Sequence, residues 1–188
     1  VRAAIELARS ANAPVAVINS RAEELTVGGY RPPVEMEITM TTHNDGTETG
    51  YTLNAYGSTG SATGVSTGLI SGMIYTGLNR KLGDYAVVTN FAPGAAFRWP
   101  DGPAACYSME QSIDQIAHQM DWDPIDFRRK WEEDEGYISI FNWAEASDLW
   151  KARRPTASQQ GRFRKGVGLA IGAWPNFFMP SAEVEVEI

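Results

Sequence analysis

The chain has 188 residues, 43% of them hydrophobic and 21% charged, which suits a folded domain with a buried core rather than a disordered segment. A formal charge of −7 and a pI near 4.9 argue against a nucleic-acid-binding surface, which needs clustered Lys and Arg. One cysteine, Cys106, leaves no internal disulfide and no cysteine-held iron–sulfur cluster within the chain, and points to a reducing, cytoplasmic location.

No charged segment followed by an apolar one opens the chain, and no run of 18 apolar residues occurs, so neither a signal peptide nor a membrane span is expected. The sequence begins inside a helical pattern and stops inside the alternating "AEVEVEI", and so reads as an internal portion of something longer. Val1, Ala4, Ile5, Ala8 and Ala11 recur at helical spacing before Pro14. "VAVIN" (15–19) reads as a short strand, parallel to later ones, and Ser20 with Glu23 or Glu24 as a helix start.

Val34, Met36, Ile38 and Met40 alternate with polar residues, Asp45-Gly46 supplies a turn, and "YTLNAY" alternates on the far side, which predicts a β-hairpin. Gly60, Gly64, Gly68 and Gly72 recur every four residues beside Val65, Leu69, Ile70, Met73 and Ile74. Such a pattern suits a buried helix with a small-residue stripe, or a loop over its first half, because glycine weakens helices. The glycine spacing matches neither a dinucleotide fingerprint nor a P-loop. "YAVVTN" (85–90) reads as a strand. Met109, Ile113, Ile116, Ala117 and Met120 share a helix face, and Asp123-Pro124 with Asp126 starts another helix. Residues 132–160 show no clear period, and "GRFRKGVGLAIGAW" and "AEVEVEI" look like two more strands. The mixture predicts an α+β fold of mixed sheets with a β-hairpin and packed helices.

Sets of catalytic residues are scarce. The two histidines, His43 and His118, lie apart, and no metal-ligand spacing appears, so no metal is expected on this chain. Cys106 precedes a helical pattern without an activating histidine, and reads better as a small core residue than as a nucleophile. "WEEDEG" (131–136) reads as a solvated helix end, and "GRFRK" (161–165) as a basic patch too short for nucleic acid. "AAFRWPDGP" (95–103) is the best anion-binding candidate, because an arginine fork sits in a Gly/Pro-shaped loop before a helix. The alternative is a structural Arg98 paired with a nearby carboxylate such as Asp101.

The order of these pieces resembles the molybdenum-binding large subunit of the xanthine dehydrogenase/aldehyde oxidase family, the molybdenum hydroxylases. "RAAIELARSANAPVAVINSRAEEL" is similar to the helix, strand and Ser-Arg-Glu-Glu turn of that family. "YRPPVEMEITMTTHNDGTETGYTLNAYGSTG" is similar to its Arg-Pro strand and Asp-Gly hairpin. "VVTNFAPGAAFRWPDGPAACYSMEQSIDQIAHQMDWDPIDFRRKW" resembles the most telling block: Thr-Asn, Ala-Phe-Arg-Gly-Pro/Phe-Gly, a Glu-x-x-Ile/Met-Asp-x-x-Ala helix and Asp-Pro-x-x-x-Arg. The resemblance implies residues 1–188 as a partial molybdopterin-binding domain, with a candidate subdomain break near 132–160.

It further implies oxidative hydroxylation of an aldehyde or N-heterocycle, with molybdopterin as cofactor. Iron–sulfur clusters, and FAD as an optional addition, would sit on partner domains or subunits. The expected partners are the remaining segments of the molybdenum subunit, those redox subunits and a small-molecule substrate. Phe97, Arg98 and Trp99 fall at the cofactor-binding loop. No residue matches the family's general-base glutamate, so no catalytic residue is expected on this chain, which by itself is expected to be inactive. Trp99 stands where the family has a small residue, Asp101 where it has glycine, and Ala104 where glutamine is common. Where purine-oxidising relatives carry a substrate-orienting arginine this chain reads "VSTGLISGMIY", which disfavours a xanthine-like substrate. The rival reading is a non-catalytic binding or scaffold domain derived from the same fold.

Overall fold

A computed structural model describes residues 1–61, 64, 67–75, 79–174 and 185. Its centre is a three-stranded mixed sheet in the order β1-β2-β3, formed by Val34–Thr42, Glu48–Gly60 and Arg80–Val88. The predicted hairpin is present: β1 and β2 pair antiparallel from Val34↔Gly57 to Thr41↔Gly50 around the Asp45-Gly46 turn. The Asp45 carboxylate accepts the Thr47 N–H at 2.9 Å, and Gly46 takes φ +79°, which glycine adopts without steric cost. β3 lies parallel to β2, so the chain must cross over between them through residues 61–79.

Alternation decides which face is buried. Tyr51, Leu53 and Ala55 of β2 are buried and point to the same side as Val34, Met36, Ile38 and Met40 of β1. Against that side lies the long helix of Gly102–Gln119, which buries Ala105, Cys106, Met109, Ile113 and Ala117 at helical spacing. The Tyr51 hydroxyl meets Ser108 Oγ at 3.0 Å and fixes the helix across the sheet.

The helices are, in order, α1 (Arg2–Ala11), α2 (Arg21–Thr26), α3 (Thr67–Ser71), α4 (Gly102–Gln119), α5 (Pro124–Arg129), α6 (Glu135–Ala146) and α7 (Asp148–Lys151). α2 opens with the expected capping box: Ser20 Oγ accepts the Glu23 N–H and Glu23 accepts the Ser20 N–H. Asp123 caps α5 at the Ile125 N–H, with Pro124 in the first turn. Asp134, from the acidic run, caps α6. α6 and α7 occupy the stretch that showed no period, and their Phe141, Ala144 and Trp150 belong to the core.

Three expected elements differ. "VAVIN" forms no strand: it has no pairing partner among the described residues, and Ile18 is 88% exposed. The helix expected across 60–74 shrinks to α3. Gly60 ends β2 with φ +63° and Gly64 has φ +107°, so the four glycines form no single stripe; Val65 lies outside the described residues. α3 is instead held by β3 at both ends. Asp84 accepts the Gly68 and Leu69 N–H groups at 2.7 and 3.2 Å, while Arg80 donates to the carbonyls of Ser71, Ile74 and Tyr75. A carboxylate at the N-terminus and a cation at the C-terminus complement the helix dipole. Residues 161–174 contain no strand, and "AEVEVEI" lies outside the described residues except for Glu185.

A buried ion pair joins α4 to α5. Arg128, fully buried, donates to Glu110 at 2.9 and 2.6 Å and to Asp114 at 2.8 Å; Tyr75 donates to the other Glu110 oxygen at 2.8 Å. These carboxylates and this arginine come from the Glu-x-x-Ile-Asp helix and the Asp-Pro-x-x-x-Arg segment quoted above. Burial pushes the Glu110 carboxyl up, Arg128 pulls it back, and Arg128 itself is held firmly charged by Glu110. Below the pair, Phe127 packs against Trp131, whose indole N–H donates to the Gly46 carbonyl at 2.7 Å, so the hairpin turn is closed by the helix behind it.

Candidate functional site

The segment from Phe91 to Pro100 connects β3 to α4, and its first half is fastened to the end of β2. The Gly94 N–H donates to Thr59 O at 2.9 Å, and the Ala95 N–H to Tyr30 O at 2.9 Å. The approach is close: a Cβ on Gly60 would lie 1.9 Å from the Ala92 carbonyl oxygen, and one on Gly29 would lie 2.3 Å from the Ala95 Cβ. Glycine is required at both places.

Its second half carries the residues singled out in the sequence. Phe97 and Arg98 are exposed and Trp99 is half-buried. Trp99 and Asp101 both adopt left-handed backbone, with φ of 58° and 54°. For a non-glycine residue this costs about 1–2 kcal/mol, which gives a physical reason for glycine at the equivalent places of the family pattern. The indole of Trp99 offsets part of that cost. It lies between Gly102 and Gly172, where Cβ atoms would stand 2.1 Å and 3.0 Å from it, and its Nε1 donates to Ala173 O at 2.9 Å. Arg98 forms no ion pair among the described residues, so the alternative pairing of Arg98 with Asp101 is not what the structure contains.

Arg31 organises the loop, and the sequence reading did not single it out. Its guanidinium donates to Trp99 O at 3.0 Å, to Phe97 O at 3.4 Å and to Arg98 O, and lies 5.1 Å from the centroid of the Phe97 ring. Three successive carbonyls therefore face one cation. In a trans peptide the N–H points opposite to the carbonyl, and no cis peptide occurs among the described residues. The N–H groups of Arg98 and Trp99 consequently point away from Arg31, and among the described residues neither has an acceptor. The next residue, Pro100, has no N–H.

A cavity of about 510 Å³ lies beside this loop, lined by Arg98, Trp99 and Pro100 from one segment and Gly172, Ala173 and Trp174 from another. Among the described residues the site thus combines main-chain donors without acceptors, a cation without a carboxylate partner and an adjacent cavity, an arrangement suited to an anionic, acceptor-rich group. Cys106, one helical turn into α4, is buried, and burial pushes its thiol up, which suits a core residue rather than a nucleophile. His43 and His118 are exposed, the first at the hairpin turn after β1 and the second at the end of α4.

Residues 2–131 match the family model described as the molybdopterin cofactor-binding domain. No curated protein sequence matches the chain. Among solved structures, the chain is similar to quinoline 2-oxidoreductase from Pseudomonas putida 86 (TM-score 0.61, 20% identity, covering 74% of this chain and 21% of that one). It is also similar to reconstituted CO dehydrogenase from Oligotropha carboxidovorans (TM-score 0.59, 19% identity, covering 77% of this chain and 21% of that one). The chain therefore spans about a fifth of the length of these solved chains, and at such identities the likeness is one of fold. With the family match extending over the hairpin, the arginine loop and the ion-paired helices, the chain belongs to the molybdopterin cofactor-binding domain family.

Proposed function

We propose that this chain supplies one wall of a molybdopterin site, with Phe97, Arg98 and Trp99 as the cofactor-binding residues, within an oxidoreductase of the molybdenum hydroxylase class. The observation that carries the reading is the pair of N–H groups at Arg98 and Trp99 and the Arg98 side chain, all without a partner among the described residues, next to a cavity of about 510 Å³. These residues fit a cofactor that presents anionic and oxygen-rich edges, because backbone donors and a guanidinium are what such edges lack. The bound cofactor would supply the redox chemistry, an oxidative hydroxylation of an aldehyde or N-heterocycle. The chain's own part is to bind and orient: Arg98 offers a fork of donors, and Phe97 and Trp99 shape an apolar boundary. Electrons would pass to iron–sulfur partners, with FAD as a further redox group, and the proton-abstracting residue would come from another segment of the enzyme.

Molybdenum and pterin analysis of the complete native protein tests this reading; a matured protein holding neither would end it. In the same protein Arg98→Ala is expected to lower cofactor content or turnover by about 10- to 100-fold, the size of one lost charge-assisted contact. Unchanged content and kinetics would remove Arg98 from the site.

One observation favours a second reading, a binding or scaffold domain without catalysis. The Trp99 indole occupies the space beside Gly102 and Gly172 where the family pattern has a small residue, and it narrows what can approach the loop. A cofactor-loaded native protein that oxidises no aldehyde or N-heterocycle would select that reading.

A further inference from the structure

We infer that Arg31 is the positioning residue of the Phe97–Trp99 loop: by gathering three successive carbonyls it turns the Arg98 and Trp99 N–H groups outward as donors. Its importance to a cofactor rests on the reading above; its hold on the loop does not.

Three consecutive carbonyls do not converge on one point in a strand, where they alternate sides. They do so here along a backbone that turns left-handed at Trp99. Trp99, neither glycine nor asparagine, does not favour that conformation by its residue type, and the one local tie on its carbonyl is the Gly102 N–H, which donates to it at 3.2 Å. The fork of Arg31 holds the rest: Nη1 takes Trp99 O, and Nη2 takes Phe97 O and Arg98 O. Lysine has one strongly hydrated donor centre and no fork, so it does not reproduce this arrangement. No carboxylate pairs with Arg31 among the described residues, and its charge acts on peptide dipoles and on the face of the Phe97 ring.

The clamp is itself anchored. Tyr30 donates its hydroxyl to Ser58 O at 2.9 Å and bridges Gly94 through the backbone, and Pro32 and Pro33 follow, with Pro33 O accepting the Ser58 N–H at 3.0 Å. Arg31 therefore reaches out from a stiff strut on the end of β2. There is also an electrostatic effect. A cation on the carbonyl of a peptide polarises that same peptide, so the Phe97–Arg98 and Arg98–Trp99 peptides become stronger N–H donors. Arg31 is thus a residue that acts through the main chain rather than by touching a ligand.

The test uses the complete protein, with ¹⁵N-labelled tryptophan and a parallel assay of molybdopterin content. The Trp99 indole N–H signal is assigned by its loss in Trp99→Phe; the Trp131 signal, bonded to Gly46 O, reports on the rest of the fold. Arg31→Ala is expected to displace the Trp99 signal, leave that of Trp131 in place and lower cofactor content about 10-fold, the size seen when a group supporting a site is removed. Added guanidinium ion is expected to restore both. Arg31→Lys is expected to fall between the two and to gain nothing from guanidinium. An Arg31→Ala protein with the native Trp99 signal overturns the inference. Should that variant not fold, a folded Arg31→Lys protein with the native signal and content overturns it equally. A displaced Trp99 signal with full cofactor content upholds Arg31 as the clamp and instead removes the loop from the cofactor wall.

Discussion

Trp99 and Gly102 behave as one unit. A methyl group at residue 102 would stand 2.1 Å from the indole nitrogen, inside contact distance, so Gly102→Ala must expel the ring or shift the start of α4. Overpacking of this kind costs about 1–3 kcal/mol. In a Trp99→Gly background the obstruction is gone and the left-handed backbone is relieved, so the same substitution is expected to cost under about 0.5 kcal/mol, the usual size for an unencumbered site. Urea unfolding of the two single variants and the double variant measures this coupling; equal costs in both backgrounds would separate the two residues. Arg98 could be reached from the sequence because the surrounding motif resembles a known series. Arg31 lay in the quoted Arg-Pro segment, but its role was not legible there: its partners are backbone carbonyls 66 to 68 residues away, which leave no complementary side chain to notice. Arg80 hides for the same reason, since it too works on carbonyls, those at the end of α3.

Between elements, the Arg128 pair is a fully buried polar tie, and it fixes α5 to the helix that begins at the site. Removing the cation leaves Glu110 buried without its main partner, which costs about 3–5 kcal/mol. Arg128→Met is expected to lose that much near neutral pH, and Glu110→Gln in the same protein to recover part of it. The sign of the pH dependence follows from burial, which pushes Glu110 up. Without Arg128 that carboxyl titrates above its unfolded value, so the folded state holds a proton the unfolded chain has released. The deficit of Arg128→Met should therefore shrink as pH falls toward the ordinary glutamate range, and grow as it rises. Denaturant midpoints at several pH values check both statements; a deficit independent of pH would show that Glu110 does not carry it. Elements with a closed local logic were legible: the hairpin through alternation and Asp-Gly, α4 through its apolar face, α5 through Asp123-Pro124. α6 was not, because Ile140 and Trp143 are exposed while only Phe141 and Ala144 are buried, which blurs any amphipathic period. "VAVIN" failed for the opposite reason, as a strand needs a partner that its own residues do not specify.

At the scale of the molecule, much apolar surface lies uncovered. Among the described residues β3 is an edge strand with Tyr85, Val87 and Val88 exposed, the last by 74%, and Phe91 continues the run. Exposed edges and contiguous apolar faces promote association. The 188-residue chain alone is expected to bind an apolar fluorescent dye and to grow in apparent mass with concentration. Val88→Lys should reduce both, as read by dye fluorescence and light scattering; no change would clear β3 of that role. The solved relatives, of which this chain spans about a fifth, are far longer, and the fold class is legible in a short chain only because its hairpin, crossover and long helix already form a core.

The closed turn at Gly46 bears on how the protein can be engineered. Hairpin turns are ordinarily the safest places to insert a tag, a reporter domain or new chain ends. Here Gly46 is buried against Trp122, Phe127 and Lys130, and its carbonyl is the acceptor for Trp131. A graft at residue 46 would prise the sheet from α5, and through Arg128 would disturb the helix that begins at the loop of Arg98. The stretch from Ala157 to Gly161, left-handed at both ends and exposed except at Gln159, is the better place to cut and extend.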